Sequence, residues 1–389
     1  MPLLPALALF AMMQVTITNP TELEKALQNP DGVGVRAAIA TYLNSKGADK
    51  GMSPQVQDRK VAFAIRAPGA GNAEARLGPT GEKFPLMSVG SDLFVMVFES
   101  PYGAAHTVEY WAGGKKVGDS RTFEVYNYPP EMKADPTVAK GEVREMAKQT
   151  SKVYPDTQSE WWVYKPAKPE PEGGFGFIVF QDGQWAKNYA VPCLDNMIAK
   201  GDIPPCVAIF IKPSEGITSK QSIRMRQYDY LTDEYVRFIL DEYEPATVAA
   251  LGVKLSQDPA KRCIAGLSSG GICAWTAAWE RPDKFGLVLS WIGSFTNIAS
   301  RESKREGGHN YPALIRKTDK KPIRVFLQDG DQDLDNEHGN WFLSNQQMVA
   351  ALKYKGYDYM WRPGHGFHSD AQGRSLMPEA LRFLLNGKK

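Results

Sequence analysis

Cysteine and histidine are scarce in this chain, and no block of a single charge stands out. Its 389 residues hold four cysteines and five histidines. Cys193, Cys206, Cys263 and Cys273 form no Cys-x-x-Cys pair, which argues against a structural zinc site. They read as buried free thiols. A Cys193–Cys206 disulfide is the alternative, and it requires an exported protein. The net charge is +2 and no Lys/Arg-rich run appears, so nothing points to a nucleic-acid partner. No stretch reaches membrane-spanning length. Residues 1–14 are apolar and resemble the core of a signal peptide, without its Lys/Arg region. They are expected either as an export signal, which places the protein in the periplasm or outside the cell, or as the packed N-terminus of a cytoplasmic one.

What is present is an ordinary globular balance, 43% hydrophobic and 23% charged, over a length that suits two domains. Residues 15 to about 55 carry apolar positions at helical spacing, as in Thr21–Gln28 and Gly34–Leu43. From about 60 to 127 the pattern becomes short strands split by turns, such as Val61–Arg66, Leu93–Phe98, Thr107–Trp111 and Arg121–Tyr126. That spacing predicts a small antiparallel β-sandwich. Residues 131–140, after Pro129-Pro130, read as a linker. From 141 to 389, β-rich runs (Phe177–Phe180, Cys206–Ile211, Arg262–Ala265, Leu287–Ser290, Ile323–Leu327) alternate with helical ones, including Tyr230–Tyr243 and Asn345–Tyr354. The alternation predicts a doubly wound, mostly parallel α/β sheet.

Ala265–Gly271 reads Ala-Gly-Leu-Ser-Ser-Gly-Gly and fits Gly-x-Ser-x-Gly with Gly266, Ser268 and Gly270 in frame. A strand-like run precedes it and an apolar helix-like run follows, the setting of a nucleophile elbow. Flanking glycines remove the Cβ atoms that a sharp turn crowds, and the helix N-terminus supplies free N–H groups. Ser269 is not in frame, because its own pattern needs glycine at Leu267.

A serine needs a base to take its proton. In a Ser, then acid, then His order, His106 comes before the serine, His309 too early, and His338 directly after the acidic loop. His368 is the preferred base, at the step from a glycine loop into the last helix, with His365 the alternate. The acid belongs after the Arg324–Gln328 strand, where Asp333 is preferred and Asp331 is the alternate. The Asp-x-Asp-x-Asp run there has Leu334 and Asn340 where a calcium loop needs glycine and glutamate, so no metal is expected. For the oxyanion, Ser269 N–H and an N–H of Gly183 or Gln184, after the Phe177–Phe180 strand, are the expected donors. Trp185 is expected as a wall of the substrate pocket.

Gln181–Trp185, Gly201–Pro205, Arg224–Asp229, the elbow, Arg281–Gly286 and the closing Gly-x-Gly-x-His occur in one order that resembles the enterochelin-esterase-like branch of the esterase D family, over about residues 140 to 388. The resemblance implies an α/β-hydrolase fold, an N-terminal sandwich and no cofactor. It carries Ser268 as nucleophile, His368 as base and an acid in the Asp331/Asp333 turn. Arg224 and Arg226 are the cations that such a protein would offer to a catecholate ligand. The expected partner is a small-molecule or glycan-linked ester. Acyl transfer on the same fold, or a non-catalytic glycan- or partner-binding role, are the rival readings.

Overall fold

The computed structural model describes residues 15–78, 80–299 and 306–386; the apolar segment 1–14 lies outside them. Contacts divide the chain into two compact units, at Tyr126 and Asn127.

In the first unit, helices Pro20–Leu27 and Val35–Ser45 precede seven strands. All their pairings are antiparallel. The fourth strand, Glu82–Ser88, pairs with Ala73–Gly78 through its first residues and with Leu93–Glu99 through Met87 and Ser88. It thereby links two halves that face each other. The Phe63 ring lies 5.6 Å from that of Phe123 and 6.4 Å from that of Tyr110. In the strand Lys60–Arg66, Val61, Phe63 and Ile65 enter this inner core, while Ala62 and Ala64 meet Leu23, Ile39 and Leu43 of the helices. Both faces of that strand are covered, which is why its sequence lacks polar alternation.

The second unit is built on an eight-stranded sheet. Its spatial order is Asp358–Gly364, Arg324–Gly330, Leu287–Trp291, Arg262–Leu267, Gly176–Gln181, Cys206–Ile211, Trp161–Lys165, Glu142–Glu145. The first six of these pair in parallel, and the last two join antiparallel. This is the mostly parallel α/β-hydrolase sheet. Phe177 and Val179 pack into one face and Ile178 and Phe180 into the other. Burying such side chains contributes about 1.5–3 kcal/mol each, so the central strands carry no polar face. Arg262 is a fully buried exception. Glu244 takes its guanidinium through Nη1 at 3.0 Å and Nη2 at 2.5 Å, and the rings of Phe177 and Phe285 cover it at 5.1 and 4.9 Å.

Two expectations change in detail, the linker and one helix, while the cysteines are the free thiols expected and their disulfide alternative falls away. Residues 131–140 do not span free space: Asn196 Nδ2 donates to the Glu131 and Lys133 carbonyls at 2.9 and 2.6 Å, which ties their start to the second unit. All four cysteines are free and buried, so no Cys193–Cys206 disulfide forms. Cys193 instead lies in the helix Gly183–Lys200 with its Sγ 3.5 Å from Met197 Sδ, while burial pushes the Cys206 thiol up to about 12. The helix predicted over 230–243 begins at Glu234 and passes through a π-helical turn, Ile239–Tyr243, which keeps both end residues buried.

Candidate active site

Strand Arg262–Leu267 and helix Ser269–Glu280 meet at Ser268, whose φ of 57° and ψ of −125° lie outside the regions that ordinary residues adopt. Such backbone costs about 1–3 kcal/mol and persists only where its surroundings enforce it. Here Ser268 N donates to Trp291 O at 2.9 Å, and Ser268 O accepts from Ser294 N at 3.0 Å and Gly271 N at 2.9 Å. A Cβ on Gly266 would stand 2.4 Å from the Gly270 carbonyl, so the turn closes only over glycine. The helix behind it is apolar all round and almost wholly buried, which anchors the elbow from below.

The loop after Arg324–Gly330 and the loop after Asp358–Gly364 approach until a Cβ on Gly330 would meet Gly366 O at 2.2 Å. This contact brings two aspartates to two histidines. Ser268 Oγ lies 2.8 Å from His368 Nε2, and His368 Nδ1 lies 2.5 Å from Asp333 Oδ1. Leu334 N donates to that same oxygen at 2.5 Å. The Asp333 side chain is 0% exposed and that of His368 22%. The Trp341 and His368 rings meet nearly at right angles with centroids 5.7 Å apart, and Trp341 Nε1 donates to Ser294 Oγ at 3.0 Å. Ser294 Oγ in turn stands 3.3 Å from Ser268 Oγ. The alternates bond to each other instead: His365 Nδ1 is 2.8 Å from Asp331 Oδ2, with the pair 72% and 41% exposed. The aspartates of this loop therefore diverge. Among the described residues no cluster of three or more His, Cys, Asp or Glu side chains stands ready for a metal ion.

Ser269 opens the elbow helix, and Gly183 and Gln184 open the helix Gly183–Lys200. First-turn N–H groups have no partner within their own helix. At the second helix the ladder starts with Trp185 and Ala186, whose N–H groups donate to Asp182 O at 3.0 and 3.2 Å. Asp182 itself is left-handed, with φ 51° and ψ 42°. Its buried carboxylate takes Arg224 Nε and Nη2, both at 2.9 Å, and its N–H donates to Tyr228 Oη at 3.1 Å. The two turns are neighbours, since a Cβ on Gly270 would lie 3.4 Å from Asp182 Oδ2. Arg224, expected to face a ligand, thus has Nε and Nη2 engaged with Asp182. Arg226 faces Glu234 at 3.6 Å. Trp185 is 63% exposed and leaves its indole to solvent.

Two buried carboxyls near these turns are perturbed. Burial pushes Asp229 up to about 7, against the Ser269 hydroxyl and Arg224, which favour its charged form. Asp329 is pushed up to about 10, first by burial and then by contact with Asp333. Sequence reasoning did not find Asp182, Asp329, Ser294 or Trp341. Asp182 had a readable signal, a polar residue between a buried strand and a glycine-led helix, the same setting as Ser268. Ser294 and Trp341 belong to no motif.

The family model described as Putative esterase matches residues 154–384. Among curated proteins, an iron(III) enterobactin esterase of Dickeya dadantii is 26% identical over 242 residues, or 60% of this chain and 53% of that protein. The chain therefore spans about half the length of that relative. Among solved structures, the enterobactin esterase of Shigella flexneri in the presence of enterobactin has a TM-score of 0.63 at 15% identity, over 89% of this chain and 98% of that one. The ferric enterobactin esterase of Salmonella typhimurium gives 0.62 at 15% identity over the same shares, 89% and 98%. A ferulic acid esterase from Anaeromyces mucronatus gives 0.50 at 12% identity, over 67% and 96%. These likenesses to solved structures establish the fold.

Proposed function

The chain belongs to the Putative esterase family, and from that premise we propose that it is a serine carboxylic ester hydrolase that works through an acyl-enzyme. The observation that carries the reading is the continuous line from Ser268 Oγ through the His368 ring to Asp333, with links of 2.8 and 2.5 Å. Ser268 attacks the ester carbonyl while His368 Nε2 takes its proton. Asp333 accepts the Nδ1 proton, fixes the tautomer and stabilises the imidazolium. The oxyanion rests on Ser269 N–H and on an N–H of Gly183 or Gln184, both at helix N-termini that favour negative charge. His368 then protonates the departing alcohol, and water repeats the sequence on the acyl-enzyme.

For substrate we propose a small-molecule ester with an aromatic part, the chemistry shared by the relatives named for enterobactin and ferulic acid. The exposed indole of Trp185, beside Gln184, supports this choice. The test is hydrolysis of p-nitrophenyl acetate and butyrate by the wild type and Ser268→Ala, purified side by side. The variant is expected to lose roughly 10³-fold or more in kcat with its circular dichroism unchanged. Equal turnover by both proteins overturns the assignment of Ser268.

A further inference from the structure

We infer that Asp329 is a neutral carboxylic acid that donates its proton to Oδ2 of Asp333, which makes it a positioning residue for the Asp333–His368 pair. The inference rests on the reading of Ser268, His368 and Asp333 given above.

The geometry leads to it through the unfilled side of Asp333. Oδ1 of that carboxylate receives both His368 Nδ1 and Leu334 N. Its Oδ2 is buried and meets no N–H or O–H donor among the described residues. The group in hydrogen-bonding contact with Asp333 is the carboxyl of Asp329, fully buried in the strand Arg324–Gly330. A bond between two carboxyls exists only if one of them holds a proton, and two buried carboxylates in contact do not both ionise. Asp333 is the better anion, because it faces the imidazole. Asp329 is the poorer one. Its oxygens accept from Gly330 N at 2.7 Å and from Asn345 Nδ2 at 2.6 Å. Yet Asn345 Nδ2 has two protons for three acceptors, the others being Gly293 O at 2.9 Å and Trp341 O at 3.1 Å. Those two carbonyls also fix the orientation of the amide. The groups that bear most on Asp329 are the Asp333 carboxylate, the Gly330 N–H and the Asn345 amide, and none of these three carries positive charge. Burial and Asp333 together hold its proton up to about 10.

The consequence is chemical. A neutral donor fixes the plane of Asp333 without adding a second negative charge beside the imidazole. His368 then faces a single negative charge through Nδ1, and Nε2 is left to accept the serine proton.

The test follows the His368 ring by NMR titration in the wild type, Asp329→Asn and Asp329→Ala, with ester kinetics on the same samples. Asp329→Asn keeps a donor and the same charge, so the His368 midpoint is expected to stay in place and kcat to stay close to wild type. Asp329→Ala is expected to lower kcat roughly 10- to 100-fold, the loss of a hydrogen bond to a charged group. A His368 midpoint that falls by about one pH unit in Asp329→Asn overturns the inference, because it shows that a negative charge was removed. Wild-type kcat in Asp329→Ala overturns the positioning role. Infrared difference spectra at neutral pH are expected to show a protonated carboxyl carbonyl in the wild type that vanishes in Asp329→Asn, and its absence also overturns the inference. The spectroscopic arms need no turnover, so they decide the state of Asp329 even if the esterase reading fails. They also decide it if Asp329→Ala does not fold.

Discussion

Two aspartate–histidine pairs join the same two loops, and one of them, Asp333–His368, reaches Ser268. Asp333 and His368 are 0% and 22% exposed, while Asp331 and His365 are 41% and 72% exposed. Chemically the pairs are equivalent. Burial separates them: Asp333 is shielded and held by Leu334 N–H, and His368 lies against Trp341. An exposed pair of this kind is worth little, because water screens it and competes for both partners. A shielded one holds its imidazole in one orientation and one tautomer. The contrast teaches that the site is chosen by the packing around the loops and not by the residue types on them.

The largest expected effect tests that contrast directly. Asp333→Asn is expected to lose on the order of 10³–10⁴-fold in kcat, through the wrong tautomer of His368. Asp331→Asn, measured in parallel on the same ester, is expected to stay near the wild type. Comparable losses in the two would remove the distinction between the pairs.

Next in size is Arg224→Ala. It strands the Asp182 carboxylate, which is 3% exposed, so a stability loss of about 2–4 kcal/mol is expected, at the lower side of a broken buried pair because Arg224 itself reaches solvent. Because the Asp182 carbonyl accepts the first N–H bonds of the helix that Gly183 and Gln184 open, kcat is expected to fall as well. The double variant Arg224→Met/Asp182→Asn recovers stability if the ion pair is the cause, which a thermal-melt cycle reads. Additive losses would contradict it.

A smaller effect concerns pH. Burial raises the carboxyl of Asp229 from 3.8 to about 7. Between those values the folded chain binds a proton that the unfolded chain has released. Stability therefore falls as pH rises through that window and is flat above it. Asp229→Asn removes this titration, so the difference between its melting temperature and that of the wild type is expected to grow from about pH 4 to about pH 8. A constant difference would mean that Asp229 titrates normally.

The smallest effect belongs to the exposed pair. His365→Ala is expected to change kcat/KM by no more than about twofold, since exposed ion pairs contribute little.

Local features of this fold were legible because they are encoded in consecutive residues. Strand, Gly266, Ser268, Gly270 and apolar helix stand within about 20 positions, and the structure builds the expected turn there. The parallel sheet was legible through the unbroken apolar runs of its central strands. What the chain did not reveal depends on distant partners. The pairing of Arg224 was not legible, because Asp182, its partner, lies 42 positions away. Ser294 and Trp341 join the site through folding alone, at 26 and 73 positions from Ser268, and no pattern marks either one. Asp329 did not stand out in the sequence, because its burial comes from helix Trp341–Tyr354 and strand Asp358–Gly364, both further along the chain.

The measurement closest to the central claim is covalent capture of the nucleophile. The wild type, Ser268→Ala and Asp333→Asn are incubated with a p-nitrophenyl phosphonate ester, then analysed by intact mass and peptide mapping. The account predicts one adduct on Ser268 in the wild type, none in Ser268→Ala, and slow labelling in Asp333→Asn. An adduct on Ser269 or another residue, or equal labelling rates in the wild type and Asp333→Asn, would contradict it.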